Sequence, residues 1–432
     1  MLDIDAQLAR LKQRIAAIDR KYASEQPRSP AIQRQPSPAS ARSFIEEWSD
    51  GQVAENEFGQ HFQMERLFGA HKQHGSADIG GLCELPENLL DALGENEIPN
   101  TPAERWAFLD TETTGLAGGS GTYAFLIGVG RITRDGFRVR QFFMREYAEE
   151  RSVLAALEAH LQEFEVLITY NGKSYDQPLL ETRYRMSRHK PPFARLGHLD
   201  LLFGARRLWK LRLESCRLIQ LEQQILGVFR EGDVPGKLIP YVYFEYLRSR
   251  EAQRLVPIFH HNAMDILTLA CLTAIVPAAF RSTDAASLSR VGVRRGEDLA
   301  GIARWLLAAG EPEQSLELFK RAVDRGLPDN LLFRALWEIA LLEKKLARPH
   351  AALSLFTELA GCRNEYRVCA LEELAKFYEH TENNYSIALE FTRQALTYGH
   401  ASGLVRRQER LERRLAKPKS RRLPASSALK LT

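Results

Sequence analysis

Two carboxylates stand one residue apart at the end of an apolar segment, FLDTETTGL (Phe108–Leu116). They are Asp110 and Glu112. On a β-strand, residues i and i+2 face the same side, so both side chains are expected to converge on one point. Carboxylates that close repel each other unless a cation lies between them, so the pair indicates a site for a hard divalent metal ion. A pair standing alone would indicate an exposed strand end with two solvated acids.

A second segment, VLITYNGKSYDQPLL (Val166–Leu180), adds another acid just past a predicted strand. It places Asn171, Tyr175 and Asp176 at the start of a helix. Asp176 can cap that helix, with Pro178 in its first turn. An acid in this position can serve capping and catalysis together.

A third segment, FHHNAMDILTLACL (Phe259–Leu272), predicts an apolar helix. Asp265 lies near its front, with His261 one turn earlier and His260 beside that histidine. A lone Asp at a helix start is ordinary, because negative charge interacts favourably with the helix dipole there. The chemical interest lies in the combination of the three segments.

These segments lie where predicted strands and helices alternate. Three apolar, aromatic or alternating runs predict strands over Trp106–Asp110, Thr122–Ile132 and Phe137–Tyr147. The link RDG between the second and third runs predicts a hairpin. Helices and strands then alternate: a helix over Glu149–Glu163, a strand over Val166–Tyr170, a helix from about Pro178 and a strand over Leu196–Leu202. Three antiparallel strands followed by this alternation predict a mixed α/β sheet.

In order and in detail, the three segments resemble the exonuclease motifs of the DEDD superfamily of ribonuclease-H-like nucleases. DTETTGL matches the first motif, NGKSYDQPLL the NxxxFD second motif and HHNAMD the third. Two segments between the second and third motifs resemble the YprB-like family of predicted exonucleases. They are HLDLLFGARRLWKLRLESCRLIQLEQQILG (His198–Gly227) and GDVPGKLIPYVYFEYL (Gly232–Leu247). Members of that family commonly append tetratricopeptide-like repeats. The resemblance covers roughly Arg105 to Thr283.

The resemblance implies a ribonuclease-H-like fold and metal-dependent phosphodiester hydrolysis, as a 3′→5′ exonuclease. It also implies two Mg²⁺ or Mn²⁺ ions about 3.5–4 Å apart, which stabilise the attacking and leaving oxygens of the displacement. The implied metal site consists of Asp110, Glu112 and Asp265, with Asp176 completing it through one ion or its water. Two other acids, Asp200 and Asp233, rank below these four as site residues.

The resemblance further implies a general base in the third motif, where two histidines compete. His260 has the His-x4-Asp spacing of one branch, whereas His261 stands where another branch has the Tyr of Tyr-x3-Asp. We favour His261, because HN followed by two residues and Asp parallels the YN-x2-D form of related domains. Histidine, with an ordinary pKa of about 6.5, can accept a proton from water at neutral pH.

A basic stretch follows the second motif. Residues 183–217 contain ten Lys/Arg against two acids, a pattern typical of phosphate binding. The aromatic residues Tyr184, Phe193 and Trp209 in this stretch are candidates for base stacking, with core packing as the alternative. Lys173 is expected closest to the scissile phosphate. The full set of predicted nucleic-acid contacts is Asn171, Lys173, Tyr175, Arg206 and Arg207.

Composition and repeats predict several domains in these 432 residues. Leu316, Leu353 and Leu389 mark three similar helical segments spaced 37 and 36 residues apart, which predicts a tetratricopeptide-like array. The predicted divisions are an amphipathic helix (1–22), a Pro/Ser-rich linker (23–42), a mixed segment without assigned chemistry (43–101), the ribonuclease-H-like domain (102–285), the helical repeats (295–400) and a basic tail (401–432).

Charge and cysteine usage limit the function further. The tail has a net charge of +8, whereas the whole chain has a net charge of +4, so the rest of the chain is acidic overall. The isoelectric point of the whole chain therefore says little about the folded part. The five cysteines include no CxxC pair, which argues against a zinc knuckle or a disulfide framework. We expect a cytoplasmic protein with no membrane-spanning apolar run.

The expected partners are nucleic acid and, through the helical repeats, another protein. Two alternative functions remain open at this point: a nucleic-acid-binding scaffold with little catalysis, and an endonuclease. The residues do not distinguish DNA from RNA, and they do not define an oligomeric state.

Overall fold

The computed structural model describes residues 44–93, 98–115, 121–399 and 402–416. The predicted N-terminal helix (1–22) and linker (23–42) lie outside the described residues, as does the end of the predicted basic tail. The chain divides into two compact units, one ending at Gly292 and the next beginning at Val293.

A seven-stranded mixed sheet forms the centre of the first unit. The described part of this unit has nine strands, of which seven form this sheet and β3 and β4 form a separate pair: β1 (Gln52–Asn56), β2 (Gly59–Gly69), β3 (Gln73–His74), β4 (Ala77–Asp78), β5 (Trp106–Thr113), β6 (Ala124–Thr133), β7 (Gly136–Phe143), β8 (Val166–Thr169) and β9 (Gly197–Asp200). The sheet order is β1-β2-β7-β6-β5-β8-β9, and β3 pairs only with β4. Strands β5, β8 and β9 are parallel neighbours, and the other neighbours are antiparallel. The prediction of three antiparallel strands followed by helix and strand alternation is confirmed.

Two strands of this sheet come from the segment in which sequence reasoning found no assignable role. Strand β2 pairs with β7 along most of its length, placing Phe62 opposite Phe143. Phe62 and Met64 are buried, because alternate residues of β2 face the core. At the other edge, the predicted strand over Leu196–Leu202 ends earlier. Its Asp200 caps the next helix by accepting a hydrogen bond from the Leu202 amide at 3.2 Å.

Helices cover the sheet and connect its parallel strands. They are α1 (Glu150–Leu161), α2 (Asp176–Met186), α3 (Leu201–Trp209), α4 (Leu218–Leu221), α5 (Ile239–Ser249), α6 (Val256–Arg281) and α7 (Ala285–Arg290). Helix α4 continues as a π-helical turn over Glu222–Leu226. Helix α6 packs against β5, β6 and β7, so it brings the third motif onto the strand that carries the first.

Helix α6 is also strongly apolar. Within the described part of the chain, one stretch is long and apolar enough to cross a membrane by length and composition, and it is Ala252–Arg281, which contains α6. The expectation that no apolar run reaches this length is therefore wrong. The structure gives the physical reason for the composition, because 72% of the apolar window is buried inside the protein, against the sheet.

Two glycines on β6 allow α6 to approach the sheet closely. A Cβ on Gly128 would lie 2.2 Å from Asn262 Oδ1 and 2.3 Å from Ile266 Cδ1. A Cβ on Gly130 would lie 2.5 Å from Ile266 Cγ2. Any side chain at either position would push the helix away from the strand.

Substitution Gly128→Ala is expected to lower the free energy of unfolding by about 1–3 kcal/mol, the usual range for overpacking. Asn262 cannot move freely aside, because its Oδ1 accepts a hydrogen bond from the buried Gln141. Chemical denaturation measures the effect, with Gly121→Ala as control, since a Cβ at Gly121 meets nothing within 4 Å. Equal denaturation midpoints for the Gly128 variant and the original protein would contradict this account.

The second unit is helical. Its helices are α8 (Gly296–Ala308), α9 (Pro312–Asp324), α10 (Asp329–Lys345), α11 (Pro349–Gly361), α12 (Arg367–His380), α13 (Tyr385–Tyr398) and α14 (Ser402–Ala416). Each packs against the next in sequence, and the three similar segments fall on the alternate helices α9, α11 and α13. The prediction of an all-helical region is confirmed, whereas its classification as tetratricopeptide-like stays a prediction.

The predicted basic tail begins as a packed helix. Leu404 and Leu411 of α14 are buried. Arg407 Nη1 and Arg410 Nη2 lie 2.7 and 2.8 Å from Glu379 Oε2, a carboxylate that is fully buried. These two positive charges are therefore satisfied within the fold, and the first half of the predicted tail is structured.

Candidate active site

Asp110 and Glu112 lie on the strand at which the sheet changes direction. Strand β5 pairs in antiparallel fashion with β6 on one side and in parallel fashion with β8 on the other. Asp110 is opposite Gly128, the glycine that admits α6, so this carboxylate lies beneath the helix of the third motif. The register shifts directly after Glu112, where the pairing with β6 becomes irregular.

Asp176 approaches the same point from the opposite side of β5. It is the first residue of α2, which follows β8, the parallel neighbour of β5. Thr111, between the two carboxylates of β5, donates a hydrogen bond from Oγ1 to Asp176 Oδ1 at 2.5 Å. This contact joins the first and second motifs.

A chain of buried amides joins the first motif to the third. Asn262 Nδ2 donates to Asp110 Oδ2 at 2.9 Å and to the Asp110 carbonyl oxygen at 3.2 Å. Gln141 on β7 in turn donates to Asn262 Oδ1 at 2.8 Å. Sequence reasoning missed both amides, although Asn262 could have been noticed because it lies three residues before Asp265 and so shares its helix face. The amides hold the Asp110 carboxylate in one orientation.

The two candidate histidines occupy different environments. His261 Nδ1 lies 2.8 Å from Asp233 Oδ1, and its Nε2 lies 3.6 Å from Asp265 Oδ2 and 3.9 Å from Glu112 Oε1. His260 is more exposed, and its Nδ1 lies 3.1 Å from Arg66 Nη1. Of the two rings, His261 is the one beside the motif carboxylates.

The pKa values of the two histidines shift in opposite directions. Burial lowers the pKa of His261, but the hydrogen bond to Asp233 and the charge of Asp265 outweigh it, so the net shift is upward. Burial and the Arg66 charge lower the pKa of His260. Burial raises the pKa of Asp233, but the His261 contact outweighs it and the net shift is downward. Asp233, ranked below the motif carboxylates from sequence, is thus the partner of His261.

A buried arginine supports this cluster from behind, and nothing in the sequence pattern indicated it. The Arg230 side chain is only 3% exposed. Its Nη2 lies 2.6 Å from Asp265 Oδ1, its Nε 2.8 Å from Glu222 Oε2 and its Nη1 3.6 Å from Asp233 Oδ2. Glu222 is itself fully buried and also accepts a hydrogen bond from Thr268 at 2.7 Å. Removing this arginine would leave the charges of all three acids without their shared partner, a costly change at a buried site.

Burial is the main cause of the raised carboxyl pKa values at this site, and repulsion between neighbouring carboxylates adds to it at Asp110 and Glu112. Burial and the charges of Asp265 and Asp176 hold the pKa of Asp110 well above its ordinary value. Burial and the charges of Asp110 and Asp265 do the same to the pKa of Glu112. Burial raises the pKa of Asp176 to about 6, although the hydrogen bond from Thr111 opposes the shift. The site therefore carries more negative charge than its protein donors compensate.

The donor set suits a divalent cation. Where the chain is described, no three His, Cys, Asp or Glu side chains already form a metal-binding group. Arg230 forms an ion pair with Asp265 Oδ1 and Asn262 donates a hydrogen bond to Asp110 Oδ2, so one oxygen of each acid already has a partner. The opposite oxygens of those two acids remain, together with Glu112 and Asp176. Mutually repelling carboxylate oxygens are the ligands that Mg²⁺ and Mn²⁺ prefer, so these residues fit such ions.

A cleft of about 510 Å³ opens onto the carboxylates. Asp110, Glu112 and Asp176 line it, together with the predicted nucleic-acid contacts Asn171 and Tyr175. The Tyr175 side chain is 57% exposed. A cleft of this size can hold a nucleotide-sized group.

The remaining predicted nucleic-acid contacts, Lys173, Arg206 and Arg207, lie in different surroundings. Lys173 is exposed, and its backbone amide donates to the buried Asp200 at 3.2 Å. Arg206 lines a neighbouring pocket, whereas Arg207 Nη1 donates to the Leu93 carbonyl at 3.2 Å. The three candidate stacking residues are core residues and unavailable to bases: Tyr184, Phe193 and Trp209. Asp200 itself is structural, because it binds the backbone after β8 and caps α3.

A mixed sheet with carboxylates on an interior strand, facing a helix that brings a further acid, indicates an RNase H-like nuclease domain. Comparison with known families agrees, since the RNase H superfamily model matches residues 107–276, a range that contains all four motif carboxylates. The uncharacterized protein YprB of Bacillus subtilis (strain 168) is 34% identical over 294 residues, covering 67% of this chain and 68% of YprB. The chain is a homologue of YprB and contains an RNase H superfamily domain over residues 107–276.

Proposed function

We propose that this protein is a metal-dependent nuclease that removes nucleotides from the 3′ end of a nucleic acid, using two Mg²⁺ or Mn²⁺ ions. Membership of the RNase H superfamily supports hydrolysis of nucleic acid. One observation supports the proposal of a metal-dependent exonuclease. Four carboxylates from three separate segments come together, three on the wall of the cleft and the fourth on the helix behind it. The DEDD-type order of these acids along the chain supports the 3′→5′ direction.

Each acid has a distinct place in the proposed site. Asp110, Glu112 and Asp265 hold the ions, and Asp176 completes the set from α2. Bound ions of this kind supply charge stabilisation for the attacking and leaving oxygens and lower the pKa of a bound water. Asn262 and Arg230 keep Asp110 and Asp265 oriented, because Asn262 donates a hydrogen bond to Asp110 Oδ2 and Arg230 forms an ion pair with Asp265 Oδ1, which leaves the other oxygen of each acid available.

His261 serves in this proposal as the base that accepts a proton from the attacking water. Asp233 binds Nδ1, which leaves Nε2 directed toward Glu112 and Asp265. An imidazole held in this way has one nitrogen committed to a hydrogen bond and one nitrogen available to accept a proton. His260 faces Arg66 instead and serves as a packing or phosphate contact.

The cleft has an apolar wall against which a base can stack. Pro178 and Leu179 of α2 supply this wall together with Tyr175, the residue directly before the helix, and Tyr175 is exposed enough to stack on a base. Gly236 and Pro240, from the start of α5, line the same cleft. Stacking on an aromatic ring tolerates any base, so this wall favours a nuclease without strong sequence preference.

Metal binding tests the proposal independently of any substrate. Mn²⁺ is expected to raise the melting temperature and to give a calorimetric binding signal, and Asp110→Asn is expected to remove both effects. The reason is that Asp110 is the carboxylate surrounded by the other acids, so its loss removes a central ligand. The matched control is Glu57→Gln, at an exposed acid between β1 and β2.

A Mn²⁺ response that survives in Asp110→Asn would contradict the metal site. A folded protein with no response at all would favour the alternative of a nucleic-acid-binding scaffold.

A further inference from the structure

A second pocket adjoins the catalytic cleft and carries positive charge. Its volume is about 550 Å³. Three basic side chains line it, namely Arg206 and Lys210 around the end of α3 and Arg217 before α4. Glu214 is the one acid among the described lining residues. The pocket is therefore a concentration of positive charge beside a site dominated by carboxylates.

The two cavities share a wall. Tyr170 and Asn171, the residues directly after β8, line both the carboxylate cleft and the basic pocket. The Tyr170 hydroxyl donates to the Cys216 carbonyl oxygen, which ties this wall to the loop before α4. The Asn171 amide donates to the buried Asp200 at 2.7 Å. Both contacts tie the shared wall to neighbouring parts of the fold.

The charges in the pocket are available to a ligand. Arg206 and Arg217 are exposed, and neither guanidinium has a hydrogen-bond or ion-pair partner in the described part of the chain. Lys210 Nζ donates to the Glu214 carbonyl at 2.7 Å, a neutral partner that leaves its charge uncompensated. Guanidinium groups recognise phosphate through paired N–H donors, so this arrangement suits phosphate oxygens.

We infer that this pocket binds backbone phosphates of a polynucleotide whose end lies in the carboxylate cleft. The inference rests on the proposed function and deepens it. It means that the bound polynucleotide runs from the carboxylate cleft past Tyr170 and Asn171 into the basic pocket. A cationic pocket here also holds a polyanion close to an acidic site that would otherwise repel it. Substrates long enough to reach both cavities then bind more tightly than short ones.

The test compares two double charge reversals of equal size. Arg206→Glu with Arg217→Glu changes the pocket, and Lys72→Glu with Arg134→Glu changes exposed cations at the end of the sheet where β5 begins. The first variant is expected to raise KM for a single-stranded 12-mer about tenfold or more, with a much smaller rise for a dinucleotide. The salt dependence of 12-mer binding is expected to fall by about 1.4 in log–log slope, since two phosphate contacts are lost. The control pair is expected to change neither.

The outcomes separate this inference from the proposed function. Equal KM values and equal salt slopes for the pocket variant and the original protein would overturn the pocket while leaving the nuclease intact. If the original protein hydrolyses no substrate, binding of the 12-mer measured in EDTA still tests the phosphate pocket. Binding that the pocket variant loses supports the phosphate site, and binding that it retains overturns it. A protein that neither cleaves nor binds the 12-mer would refute both proposals.

Discussion

The double variant Asp110→Asn with Glu112→Gln is expected to lose metal-dependent nuclease activity by about a thousandfold or more, because the electrostatic stabilisation of the reacting phosphate depends on ions held by these acids. Both substitutions keep the size of the side chain and remove its negative charge. Since the two acids are buried beside Asp265 and Asp176, removing their charges relieves repulsion and should not destabilise the fold.

The assay uses DNA and RNA, single- and double-stranded, labelled at the 3′ or the 5′ end, with Mn²⁺ present. Successive shortening from the 3′ end by the original protein, absent in the double variant, would support the proposed exonuclease and identify its polymer. Cleavage of circular single strands would favour an endonuclease instead. Activity retained in the double variant would refute the carboxylate site, and Glu57→Gln controls for the loss of an acid elsewhere.

The second large effect is expected at His261. Substitution His261→Ala should lower kcat by about 10²–10⁴-fold, the usual contribution of a general base. Substitution His260→Ala should change kcat only a few fold. The two residues are neighbours on α6, so helix propensity and helix position are matched between the variants. They differ in their contacts, because His261 Nε2 lies 3.6 Å from Asp265 Oδ2 whereas His260 contacts Arg66.

Single-turnover measurements at saturating Mn²⁺ separate loss of the base from weaker metal binding. Loss of a base lowers the chemical step even when the metal site is filled, whereas a damaged metal site recovers as Mn²⁺ increases. The reverse ranking of the two alanine variants would refute the assignment of His261. Equally small decreases in kcat for both alanine variants would indicate that the general base lies outside the third motif.

Much of the fold could be predicted because its signals are local. Apolar runs such as TYAFLIGVGRI and the RDG turn predict β6 and β7 directly, and both strands are present. Strand β2 was missed although HFQMERLF alternates between buried and exposed residues over part of its length. Its neighbouring polar residues weakened the signal, and only its pairing with β7 shows that it belongs to the central sheet.

The aromatic residues of the basic stretch illustrate a limit of composition. Tyr184, Phe193 and Trp209 stand among arginines and lysines, a pattern shared by nucleic-acid-binding surfaces and by amphipathic helices. The structure places all three in the core, because alternating apolar and charged residues put one set inside and the other outside. Composition within a segment does not tell which face of an element is covered.

The sequence by itself determined which acids could act together. Asp110 and Glu112 share a strand face through their spacing, and Asp176 stands at a helix start, so their placement follows from local periodicity. The expectation that Asp265 lies near the front of its helix was wrong, because α6 begins at Val256, nine residues earlier. Order along the chain then linked them to one superfamily. None of these arguments required knowledge of a contact between distant segments.

Only the tertiary structure decided how those acids are held. The contact between Gln141 and Asn262 joins residues 121 positions apart, and that between His261 and Asp233 joins residues 28 apart. Arg230 satisfies acids from three elements at once. Such contacts form because a buried charge or amide must find a partner, and the packing of α6 on β6 determines which partners are within reach.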